Sequence, residues 1–148
     1  MRIAKCLGTV AAVTIGFLTA VKAETAEIRL ATQSDLSWEV TSEGVAFAAL
    51  KGARFEESYM AMVRLPAGLV SPVHAKSAGM YGIVIEGEMV HLPDEAVVGE
   101  ETVLKAGDFY EIPAGLVHLS KCVSQTDCVT FLYQDGSFDF FPVEEKHP

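Results

Sequence analysis

The sequence predicts an all-β domain, a sandwich or small barrel, on three observations. After residue 24 the chain breaks into short runs rich in β-branched and aromatic residues. Gly, Pro and Asp clusters separate these runs at regular intervals, and no long stretch carries a helical period. The length left for the domain suits one core of ordinary size.

The N-terminus has a different character. Arg2 and Lys5 form a basic start, residues 7–21 are apolar, and Val21-Lys22-Ala23 offers a small-residue cleavage site. This is the pattern of a secretory signal peptide, 1–23, with cleavage after Ala23; an uncleaved N-terminal anchor is the alternative. The remaining 24–148 would be one domain, periplasmic or secreted, with no membrane association after cleavage. Removing Arg2, Lys5 and Lys22 from 11 cations against 20 acids leaves a net charge near −12. A field of that sign repels phosphate backbones, so nucleic acid is not an expected partner.

The expected strands are 26–31, 37–40, 46–50, 58–65, 80–85, 89–92, 102–105, 109–112, 117–122, 128–134 and 137–141. Turns fall at Pro66-Ala67-Gly68, Glu86-Gly87, Leu92-Pro93-Asp94, Ala106-Gly107-Asp108, Pro113-Ala114-Gly115 and Asp135-Gly136. Residues 143–148, His147 among them, read as a charged, solvated tail. Cys6 leaves with the signal, and Cys122 and Cys128 flank a polar stretch able to turn back on itself. An exported chain would join them as a structural disulfide.

Two stretches carry a family resemblance. From Gly107 the chain reads Gly-Asp-Phe-Tyr-Glu-Ile-Pro-Ala-Gly-Leu-Val-His to His118, which resembles the second motif of the cupin superfamily except that Cys122 replaces its final Asn. The first motif matches at Gly68, His74 and Gly87, but Lys76 stands where a second His is usual and Met80 where a Glu is usual. An added spacer residue would move the Glu column to Tyr81 and put Gly87 out of register. The resemblance implies a cupin double-stranded β-helix, a jelly-roll-like barrel of two facing antiparallel sheets, with His74, Lys76, Met80 and His118 at an interior pocket. It also implies a possible homodimer. The rings of Phe131, Tyr133, Phe138, Phe140 and Phe141 would either close the core or form the subunit contact.

Two of four usual metal ligands are therefore replaced, and strand alternation suggests a substitute. If Glu86-Gly87 closes a two-residue hairpin, Gly82 faces His91 and Met80, Gly82, Val84, Met89 and His91 point inward. His74, His118 and His91 could then hold Zn, Fe, Mn, Ni or Cu, or be hydrogen-bonding residues of a metal-free pocket. Lys76 could be a rim residue, or a buried group acting as a base or anion anchor. Met80 reads as core packing. Two functional classes follow: an exported module binding or sensing a small molecule, similar to cupin modules found with anti-sigma factors, or a metal-dependent dioxygenase- or isomerase-type enzyme with Lys76 or Tyr81 assisting proton transfer.

Overall fold

The computed structural model describes residues 26–94 and 101–143. The expected signal 1–23, residues 95–100, and His147 in the tail lie outside the described residues. From Ala31 onward the chain forms one unit. Its strands are β1 (Trp38–Val40), β2 (Ala46–Lys51), β3 (Tyr59–Leu65), β4 (His74–Ala75), β5 (Met80–Glu86), β6 (Met89–Pro93), β7 (Phe109–Ile112), β8 (His118–Cys122), β9 (Cys128–Gln134) and β10 (Phe141–Pro142). They make two antiparallel sheets, ordered β1-β2-β3-β9-β5-β7 and β10-β4-β8-β6. No helix among the described residues is long and apolar enough to cross a membrane.

The core follows from alternation. Along β3, Tyr59, Ala61, Val63 and Leu65 are buried while the residues between them are half-buried. Across the ladder, Ala61 faces Leu132 and Val63 faces Thr130. β5 repeats the pattern with Met80, Gly82 and Val84 buried. Apart from Gly82 and Thr130, these residues form one cluster with Met89, Tyr110, Ile112 and the two cysteines.

Four sequence expectations need correction. Residues 26–31 carry no strand and are exposed. At 102–105 there is an isolated bridge from Leu104 to Met89, closed by two backbone bonds of 2.8 and 2.9 Å. Residues 137–140 are irregular, because Phe138 turns inward to pack edge-on against Phe47 and Phe55. The short strand β4, preceded by Pro72, was not foreseen.

The expected β5–β6 hairpin is also absent, since β5 pairs with β7 and β9 while β6 pairs with β8. Gly87, at φ +80°, carries the chain from one sheet to the other. A Cβ there would lie 2.8 Å from Ser124 Oγ and 2.9 Å from Cys128 Sγ, so the crossover is packed against the disulfide. That bond is present, Cys122 to Cys128, with Cα atoms 5.7 Å apart. The inward set nevertheless keeps its direction, because alternation within each strand does not depend on the partner.

Gly82 faces Tyr110 across the ladder, not His91. A Cβ on Gly82 would lie 2.2 Å from the Tyr110 Cζ atom, so the ring occupies the space that any other residue would fill. Gly82→Ala is expected to lower stability by about 2 kcal/mol through overpacking. In Gly82→Ala/Tyr110→Ala the two costs should be strongly non-additive, measured by urea unfolding. Additive costs would show that the ring does not depend on the glycine.

Candidate functional site

The second-motif turn positions the site. Leu116 N–H donates to the Pro113 carbonyl at 3.2 Å, and Gly115 takes φ +76° at the third position, the geometry of a type II turn. Gly115 N–H also donates to the Lys76 carbonyl at 2.8 Å, which ties this turn to the β4 segment. Three residues after Gly115, β8 begins at His118, directly opposite His74 of β4. Their ring centroids are 4.3 Å apart.

Both rings are oriented alike by the backbone. His74 Nδ1 lies 2.8 Å from the Pro72 carbonyl and His118 Nδ1 lies 2.9 Å from the Leu116 carbonyl. A carbonyl only accepts, so Nδ1 carries the proton in each ring and Nε2 is left as an acceptor. His91, on β6, bonds Ser120 Oγ through Nδ1 at 2.8 Å and rests against the Tyr110 ring at 4.3 Å. Nε2 of His91 and Nε2 of His118 are buried without a hydrogen-bond partner among the described residues.

Burial keeps these imidazoles neutral. It pushes His74 down to about 4, with the neighbouring His118 and Lys76 adding to the effect. His91 is likewise driven by burial to about 4. Burial lowers His118 in the same direction. Tyr110, its hydroxyl 3.1 Å from Thr130 Oγ1, is pushed by burial up to about 12 and stays a phenol.

A cavity of about 470 Å³ opens beside these groups. His74, Lys76, Met80 and His91 line it, most of the remaining wall being apolar. His118 is placed differently from the expectation: it is 1% exposed and lies outside the cavity wall, against His74. Tyr81 is also displaced, because it alternates with the inward Met80 and Gly82 and stacks on Tyr133 outside the cavity. It therefore has no reach to a ligand inside. Lys76 is buried, not at the rim. Its Nζ donates to the Asp139 carbonyl at 2.8 Å and sits 3.9 Å from the Phe138 centroid. Burial brings it down to about 8.

Arg54 and Tyr110 line the same cavity and were not singled out from the sequence, and Phe138 and Phe140, expected to close the core or form a subunit contact, line it too. Tyr110 could have been, since it lies two residues before the buried Ile112 on one strand face. Phe140 stacks on His74 at 4.2 Å, a contact no local pattern announces.

The ring tautomers would suit metal coordination, but the donor set does not. A resident divalent ion requires at least three convergent protein donors. Among the described residues no group of three or more His, Cys, Asp or Glu is arranged to hold one. Lys76 and Met80 occupy the positions of the missing His and Glu ligands, and neither a buried ammonium nor a thioether replaces an imidazole or a carboxylate. The described residues therefore do not fit such an ion.

No curated protein sequence matches significantly. Among solved structures, an RmlC-like cupin from Shewanella frigidimarina is 22% identical with a TM-score of 0.57, covering 80% of this chain and 95% of that one. The polyketide cyclase RemF from Streptomyces resistomycificus is 15% identical at 0.64, covering 82% and 89%. KdgF from a Halomonas species is 17% identical at 0.56, covering 70% and 90%. At such identities the likeness is one of fold. Residues 61–133, which hold both motifs and the site strands β4 to β8, match the cupin domain family. The chain belongs to the cupin superfamily.

Proposed function

We propose that the protein is an exported cupin whose interior cavity binds a small molecule without a resident metal ion. The observation that carries this reading is the cavity of about 470 Å³ walled largely by apolar side chains. That volume lies within the range of small-molecule pockets, roughly 300–1,000 Å³, which combine apolar walls with a few placed polar groups. Here the polar groups include His74, His91, Lys76, Arg54 and Glu43. Neutral His74, with its proton held at Nδ1, accepts a hydrogen bond from a ligand hydroxyl. Export is supported by the signal-like residues 1–23 and by the Cys122–Cys128 bond, which an oxidising compartment maintains. Binding or sensing is favoured over metal-dependent turnover because the ligand positions are taken by Lys76 and Met80.

Metal analysis of protein purified without chelator or nickel, with calorimetry using para-propylphenol as probe, tests the reading. The expected result is far less than one ion per chain, unchanged in His118→Ala, and binding that survives chelator. Val70 lines the cavity yet is 56% exposed, so Val70→Trp should obstruct the mouth and weaken binding about tenfold. One ion per chain, lost in His118→Ala, would overturn the reading.

The buried imidazoles also set an acid sensitivity. Unfolded histidine titrates near 6.5, whereas His74 and His91 resist protonation to about 4. Between those values the unfolded state binds more protons, so stability falls as pH falls. From pH 7 to pH 5 each imidazole should cost up to about 2 kcal/mol, read from urea unfolding. His74→Gln should flatten the slope over this window. An unchanged slope would show that His74 protonates freely in the native state.

A further inference from the structure

We propose that Arg54 and Lys76 form an anion subsite in the cavity wall and that the ligand is an amphiphilic carboxylate. This rests on the pocket reading above and names the chemistry of its ligand. The guanidinium of Arg54 lies 4.2, 4.4 and 5.1 Å from the ring centroids of Phe47, Phe55 and Phe138. The Lys76 ammonium approaches the same Phe138 ring at 3.9 Å. Two cations thus converge on one aromatic side chain, and both line the cavity.

Among the described residues, neither cation is held by a buried carboxylate. Arg54 Nη2 reaches Glu39 at 3.8 Å, but the Glu39 side chain is 80% exposed, which makes the pair weak. Arg54 Nη1 is buried and has no hydrogen-bond partner among the described residues. Lys76 donates to a backbone carbonyl, that of Asp139, which leaves further N–H donors. The Asp139 carboxylate is engaged with the Ser77 amide and hydroxyl. Glu43, the acid that lines the cavity, accepts from Ser42 Oγ. In a chain with 20 acids and 11 Lys and Arg, Arg54 pairs with only an exposed carboxylate and Lys76 forms no salt bridge among the described residues.

Leaving a buried guanidinium donor unsatisfied is costly, and an arriving anion removes that cost. The planar fork of Arg matches a carboxylate, and Lys adds a point charge beside it. The apolar wall takes the rest of the ligand, and His74 accepts from a hydroxyl where one is present.

Calorimetry at pH 7 with three probes tests this: para-hydroxyphenylpropionate, its primary amide, and para-propylphenol. The acid is expected to bind about tenfold or more tightly than the amide on the unaltered protein. Arg54→Met and Lys76→Met should each weaken the acid about tenfold and so draw the acid-to-amide ratio towards one. The acid-to-amide ratio decides the matter even if Arg54→Met fails to fold. Equal binding of acid and amide would overturn the anion subsite and leave the pocket standing. If none of the three binds at about 10 mM, a weaker limit than typical specific ligands reach, the pocket reading fails and the subsite with it.

Discussion

The interior depends on one absent side chain. Because Gly82 has no Cβ, the Tyr110 ring lies flat over β5, where it anchors by its hydroxyl to Thr130 and presents a face to His91. Tyr110 comes from the six-stranded sheet and His91 from the four-stranded sheet, so this contact sets the distance between the layers at the cavity. Close-packed interiors tolerate little change of volume, and a methyl group at position 82 would push the ring into the space the ligand is proposed to use.

The electrostatic character of the cavity is opposite to that of the whole protein. The chain carries a formal net charge of −9, while its cavity wall holds Arg54, Lys76 and neutral imidazoles. Burial acts on the two classes of group differently. It strips the histidines of charge at physiological pH, and it lowers Lys76 without making it neutral at pH 7. The result is a wall that offers both acceptors and cationic donors on an apolar background, a combination that discriminates by charge as well as by shape.

Much of the fold was legible because strand alternation and turn chemistry are local. The runs at 109–112 and 128–134 coincide with β7 and β9, and the Gly107 to His118 motif located the turn that delivers His118. What failed was pairing. The two-residue hairpin at Glu86-Gly87 had the right local residues, yet Gly87 turns between layers because its missing side chain is needed against Cys128. The site was legible in its first contacts, His74, Lys76, Met80 and His91, and illegible where it depends on distant segments. Arg54 precedes β3, and Phe138 follows β9; their meeting is a tertiary event without a sequence period. Position also separated His118 from the wall: its direct pairing with His74 puts one ring behind the other, which a motif cannot express.

The disulfide joins the last residue of β8 to the first residue of β9, strands that belong to different sheets. It is therefore a rivet between layers, set at the same corner where Gly87 carries the chain across. The layers cannot part at that corner while the bond is intact, so any swelling of the cavity to admit a larger guest has to be taken up at the unriveted edges.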